Sequence, residues 1–177
     1  MNNRRVWYFA YGANMQSATL RGRRRIQFSR ALPARVPGWR LVFDKPPLIP
    51  IGESFANILP DTAAQVLGVA FEVTADDLEH IELTEGVRIG NYDRAAVSVE
   101  PLPAPVSPVP AFTLTSDRRD PSLRPSTRYM ELLISGATEH GLPADYIAWL
   151  RAVPAQEPTA AALRFRELMD EVLRSRR

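Results

Sequence analysis

The chain has 177 residues, 45% apolar and 24% charged, with 16 prolines, 9 glycines and no cysteine, a balance that fits one globular domain able to bury roughly 70% of its unfolded surface without disulfide or metal staples. The missing cysteines exclude thiol nucleophiles, thiolate metal sites, iron–sulfur clusters and disulfides, and two histidines, His80 and His140, leave little for a histidine metal centre or a catalytic triad. The net charge of +2 hides an asymmetry: the first forty residues hold nine arginines and no acid, so subtracting nine from +2 leaves the rest of the chain at −7.

Val6–Tyr11 (VWYFAY) reads as a buried strand that runs into a loop at Gly12. Arg21, Arg23, Arg24 and Arg25 follow. Such a cluster suits a nucleic-acid contact or a solvated loop whose arginines pair with the acidic later part, and the lack of interleaved aromatic residues favours pairing. Gln27–Arg35, Arg40–Asp44, Phe55–Leu59 and Val66–Val73 are short strand candidates separated by Pro37-Gly38, by Pro46, Pro47 and Pro50, and by Pro60-Asp61. Thr74 caps a helix over Ala75–Glu85 that stops at Gly86. Tyr92–Val99 alternates as a strand, and Pro101, Pro103, Pro105, Pro108 and Pro110 mark a stiff edge or connection before a last strand at Ala111–Thr115. Helices then take over: one capped by Ser126 and ending near Gly141, a short one from Pro143 to Leu150, and one over about 159–174. The apolar stripe Phe165, Leu168, Met169 and Val172 suggests that the last helix docks on the domain. The pattern predicts a single α+β domain over 1–177, with a small mixed or antiparallel sheet first and helices around it. No apolar run approaches the roughly 18 residues of a membrane span, so a soluble, cytoplasmic protein is expected.

Chemistry concentrates at two places. On the acidic helix, Leu78 and Ile81 define the buried face, and Glu85 falls between them at about 100° per residue, whereas Asp76 and Glu79 face water and Glu82 lies on the shoulder. An inward carboxylate at a helix C-terminus, short of water, suits a general acid or base. The alternative is a structural glutamate satisfied by an arginine or by backbone amides. After the first strand, Tyr11-Gly-Ala-Asn14 offers a turn whose amides can converge on an anion. Nothing resembles a P-loop, and Gly-Glu-Ser54 lacks the second glycine of a nucleophile elbow.

Tyr8-Phe-Ala-Tyr-Gly-Ala-Asn-Met15, Gly68-Val-Ala-Phe-Glu-Val73, Ile81-Glu-Leu-Thr-Glu-Gly-Val87, Tyr92, Tyr129 and Gly136-Ala-Thr-Glu-His-Gly-Leu-Pro143 together resemble the gamma-glutamylcyclotransferase family over most of the chain. The resemblance implies a β-barrel-like sheet with surrounding helices and a cofactor-free conversion of a γ-glutamyl compound to 5-oxoproline and an amine. It puts Glu85 at the catalytic glutamate, and Tyr8, Phe9, Ala10, Tyr11, Gly12, Ala13 and Asn14 in the substrate-binding loop. Tyr92 and Tyr129 join the pocket. Ala13 replaces the serine common in that loop, so a hydroxyl is lost while the backbone donor stays. A small γ-glutamyl molecule is the implied partner, with no membrane, nucleic acid disfavoured and a homodimer admitted. Rival readings are a γ-glutamylamine-specific or biosynthetic γ-glutamyl-deprotecting enzyme, and a non-catalytic binding module of the same fold.

Overall fold

The computed structural model describes residues 4–103 and 107–175, with side chains as far as Leu168 except that of Arg23; Pro105 and the side chains of Met169 and Val172 lie outside the described residues. Five strands form a closed barrel in the order β1-β3-β2-β4-β5: β1 (Arg5–Ala10), β2 (Phe28–Lys45), β3 (Phe55–Thr74), β4 (Asp93–Pro101) and β5 (Val109–Thr115). Neighbours are antiparallel except at the closing seam, where β5 meets β1 in parallel at Tyr8 and Phe112. Side chains reinforce that short seam, since Thr113 Oγ1 donates to the Phe9 carbonyl at 2.8 Å and the Tyr11 hydroxyl to the Leu114 carbonyl at 2.5 Å.

The four strand candidates between residues 27 and 73 prove to be two long strands. Pro37 pairs with Gln65 and Trp39 with Pro60, so residues 61–64 stand opposite Gly38 alone, at φ +82°. The ladder passes through a bulge where the sequence suggested breaks, because a bulged position needs no ladder N–H from a proline and glycine supplies the left-handed turn. Pro110 likewise sits inside β5, opposite Ser98. The interior is filled by Phe9, Val36, Ile58, Val66, Phe71 and Val99, and the same core continues beneath the helices through Met15, Leu133 and Leu150.

Helix α1 (Ala75–Glu85) starts where Thr74 Oγ1 accepts the Asp77 amide at 3.0 Å and ends where Gly86 turns left-handed at φ +77°. Leu78 and Ile81 are buried, as their spacing requires. Helix α2 (Thr127–Glu139) is capped by Ser126, α3 runs over Ala144–Ala152 and α4 over Ala160–Ser175. The start of α4 is tied down by Thr159, whose hydroxyl donates to the Ile51 carbonyl and accepts the Ala162 amide, while its own amide donates to Glu53. Further along, Leu168 is 60% exposed, so this member of the expected docking stripe faces outward. Among the described residues no helix is long and apolar enough to cross a membrane.

One close approach fixes the loop after β1. A Cβ on Gly136 of α2 would stand 2.6 Å from the Gln16 nitrogen and 2.7 Å from the Met15 carbonyl carbon. Both are backbone atoms that cannot yield without moving the loop, and Gly136→Ala is expected to cost about 1–3 kcal/mol. Gly22, with nothing within 4 Å of its notional Cβ, serves as the control: Gly22→Ala should stay within about 0.5 kcal/mol of the parent. Urea unfolding of the two variants checks the contrast.

Candidate active site

Glu85 occupies the last position of α1, and its side chain is 17% exposed. Both of its side-chain hydrogen bonds fall on one oxygen. Oε1 accepts from Asn14 Nδ2 at 2.9 Å and from an Arg24 terminal nitrogen at 2.6 Å, and Oε2 accepts no hydrogen bond among those found for the described residues. Beside the helix C-terminus and partial burial, a guanidinium and a side-chain amide act on this carboxylate, and both stabilise negative charge. Glu82, one position off the inward face, instead accepts from Arg94 at 3.0 Å. His80 is exposed on the same helix.

The turn after β1 is a short 3-10 segment, Ala13–Met15, which carries Asn14 inward. Asn14 Nδ2 bridges Glu85 and the Tyr8 hydroxyl, the latter at 3.1 Å. Because the tyrosine oxygen accepts this bond, its own proton is free to donate elsewhere. Tyr129 approaches from α2. Its hydroxyl accepts the Ala56 amide at 3.1 Å and is also addressed by the Ala13 amide, so that its O–H serves as a donor. Burial, and next to it the negative charge of Glu85, push the Tyr8 hydroxyl well above the usual tyrosine range. Burial is also the largest influence on Tyr129 and raises it despite the two amides. Both phenols therefore remain protonated donors at neutral pH. Gly12 is needed beside them, since a Cβ there would come within 3.0 Å of the Tyr129 oxygen.

Tyr92 belongs to the same electrostatic cluster: burial raises it most, followed by Tyr11, Tyr129, Glu85 and Tyr8. Tyr11 has its hydroxyl committed to the barrel seam. Phe9 and Ala10 are not brought to the carboxylate; Phe9 packs in the core against Gly68, where a Cβ would lie 2.3 Å from the Ala10 carbonyl oxygen.

Sequence reasoning singled out neither Lys45 nor Asn91 for the site, and it named Arg24 only as one of a run expected to pair with the acidic later part: Arg24 does pair, with Glu85, while Arg21 lies over the Phe28 ring and Arg25 is exposed. Lys45, the one lysine of the chain, is 1% exposed at the end of β2, with its ammonium 4.4 Å from the centre of the Tyr92 ring. It donates to the Pro46 carbonyl at 2.9 Å and to Asn91 Oδ1. Burial pushes it down to about 8, Arg118 adds to the effect and Glu85 opposes it. Asn91 then donates through Nδ2 to the Glu85 main-chain carbonyl at 2.8 Å, so Lys45 helps to hold the turn that carries the carboxylate. The only advance signals were the singular lysine and the charge asymmetry.

A profile of the AIG2-like family matches residues 65–150, which include Glu85, Tyr92 and Tyr129. The gamma-glutamyl cyclotransferase aclK of Aspergillus oryzae is 33% identical over 168 residues, covering 84% of this chain and 61% of that protein. The gamma-glutamyl cyclotransferase gliK of Aspergillus fumigatus is 26% identical over 178 residues, at 86% and 64%. The chain thus spans less than two thirds of the length of these two relatives. The gliK protein of Claviceps purpurea is 32% identical over 154 residues, covering 81% of this chain and 68% of that one. A solved gamma-glutamyl cyclotransferase superposes with a TM-score of 0.74 at 23% identity, over 86% of this chain and 90% of its own, which establishes the shared fold. With a closed barrel of that fold and relatives of this identity and coverage, the chain belongs to the gamma-glutamylcyclotransferase family.

Proposed function

We propose that the protein is a gamma-glutamylcyclotransferase that converts a γ-glutamyl amino acid or amine to 5-oxoproline and the free amine, with Glu85 as general base and then acid. The observation that carries this reading is the one-sided clamp on Glu85: Asn14 and Arg24 hold Oε1 and leave Oε2 for a substrate amine. In a γ-glutamyl compound the α-amine and the γ-carbonyl belong to one molecule, so ring closure needs a pose and a base rather than a protein nucleophile. The α-ammonium gives a proton to Glu85, and the freed nitrogen attacks the γ-carbonyl carbon. A second proton leaves that nitrogen as the tetrahedral intermediate collapses. The bond to the leaving nitrogen breaks, and the two protons end on the released amine as its ammonium group. The oxyanion formed in between requires donors already in place, and the Tyr129 O–H, fixed by the Ala56 and Ala13 amides, is suited to that task.

A second reading is favoured by the same ion pair: a small-ligand binding module in which Arg24–Glu85 is structural. It predicts that 5-oxoproline raises the melting temperature without any turnover of γ-glutamyl compounds.

Three variants test the enzyme reading by mass-spectrometric detection of 5-oxoproline from a panel of γ-glutamyl amino acids, γ-glutamylamines and glutathione. Glu85→Gln should fold and lose all but about a thousandth of kcat, the middle of the range for a general acid–base group; a few percent of residual activity would remove Glu85 from the mechanism. Glu82→Gln should remain within about twofold of the parent, since Glu82 binds Arg94 on the shoulder of the helix. Tyr129→Phe should lower kcat by about a hundredfold with a smaller change in KM, as expected for a donor used in the transition state. A raised KM with kcat unchanged would instead make Tyr129 a pocket wall.

A further inference from the structure

Lys45 carries its charge in a place that penalises it. The residue is 1% exposed, and its ammonium meets only neutral partners, the Pro46 carbonyl at 2.9 Å, Asn91 Oδ1 and the face of the Tyr92 ring. Two more distant charges act on it in opposite senses: Arg118, beyond β5, repels it and Glu85, at the end of α1, attracts it. Asp44, its neighbour in β2, is taken up by Arg119 at 2.6 and 2.9 Å. An apolar side chain of similar volume would fill the same space without the desolvation cost of an unpaired cation.

What the charge fixes is the amide of Asn91. The backbone of Asn91 is tied on both sides, its amide donating to the Gly86 carbonyl at 3.0 Å and its carbonyl accepting the Ser116 hydroxyl at 2.9 Å, so only the side-chain amide is left to turn over. An ammonium donates and cannot accept, so it meets Oδ1 and never Nδ2. Nδ2 is thereby aimed at the main-chain carbonyl of Glu85, 2.8 Å away, which closes α1 where the helix supplies no donor of its own. An uncharged amine has a lone pair as well as its N–H groups. Beside it, Asn91 can reverse, giving Nδ2 to Lys45 and turning Oδ1 against the Glu85 carbonyl. We infer that Lys45 is a positioning residue: its ammonium selects one orientation of the Asn91 amide, locks the turn that follows Glu85, and keeps that carboxylate in register for proton transfer only while Lys45 is charged. The inference rests on the role proposed for Glu85. Burial, with Arg118 adding to it, brings Lys45 down to about 8, so the lock opens in mild alkali. Stability moves the other way. Between about 8 and the usual lysine value of about 10.4 the unfolded chain binds more protons than the folded one, and this group makes the fold more stable as pH rises. A loss of turnover in that window belongs to the site and not to unfolding.

Because the chain has one lysine, lysine labelled at Cε gives a single side-chain signal by NMR. In the parent that signal should titrate near pH 8, and the side-chain amide signal that is missing from Asn91→Ala should shift through the same midpoint. An Asn91 amide indifferent to the titration of Lys45 overturns the inference, whether or not the protein is an enzyme. The kinetic arm is the ratio of kcat/KM between parent and Lys45→Met, in which ionisation of the substrate cancels. It should be about ten- to hundredfold at neutral pH, arise in kcat rather than KM, and fall toward one above about pH 9 as the parent loses its ammonium. Asn91→Ala should show the same loss and the same decline. A ratio that does not vary with pH makes Lys45 merely structural, and a loss carried by KM makes it a ligand contact. Full activity in Asn91→Ala shows that Lys45 acts on Glu85 by charge alone. Each of these three results overturns the inference. If the parent turns over no γ-glutamyl compound, the cyclotransferase reading fails, and the NMR titration still decides whether the proton on Lys45 holds Asn91.

Discussion

The structure turns on a carboxylate that is largely withdrawn from water and has two donors on one of its oxygens. Withdrawing a charge of this kind is costly unless it is paired and hydrogen-bonded. Asn14 and Arg24 meet that requirement from separate parts of the chain, one from the turn after β1 and the other from the wide helical turn before β2. Their convergence on Oε1 is what makes the arrangement usable. Two donors spread over both oxygens would satisfy the charge equally well but leave neither oxygen clear of a protein donor. Asn14 is itself held in place, because its second N–H is spent on the Tyr8 hydroxyl, so the clamp is anchored in β1.

Rigidity behind the clamp comes from the way α2 lies on the loop. Gly136 permits a backbone approach that no larger residue allows, and Tyr129, two turns earlier on the same helix, inserts its hydroxyl between Ala56 of β3 and Ala13 of the loop. The barrel strand, the loop after β1 and the helix thus share one oxygen atom. On the other side, Lys45 reaches from the end of β2 to Asn91, and Asn91 grips the carbonyl of Glu85. Both the side chain and the main chain of the glutamate are therefore fixed from outside its own helix, as the proposed ring closure would require.

The parts of this design that sequence made legible are the ones governed by local rules. Thr74 and Gly86 delimit α1 through capping and left-handed termination, and the 3.6-residue period places Glu85 on the inward face, because each depends on neighbours within a turn. The continuity of β2 and β3 was not legible. Pro37-Gly38 and Pro60-Asp61 are turn signals in isolation and become a bulge only when the two strands lie opposite one another. Arg24 and Lys45 were hidden for a similar reason. Arg24 and Glu85 are 61 positions apart and Lys45 and Asn91 are 46 apart, and nothing local distinguishes an arginine that turns inward from neighbours that remain exposed.

The charge asymmetry along the chain finds its explanation at this level. Arg24 meets Glu85, Arg35 meets Glu100 at 2.7 Å and Arg40 meets Asp61 at 3.6 Å, so the basic beginning is partly consumed by the acidic remainder as the barrel forms. The two pairs away from the site are more exposed and contribute modestly to stability. Around Glu85 the balance differs. Arg24 and Lys45 supply two cations against one carboxylate, and Tyr8 and Tyr129 are held protonated by burial. Lys45 has neutral acceptors and an aromatic face for company rather than a carboxylate among the described residues. With Lys45 protonated, the local charge is positive before a ligand arrives.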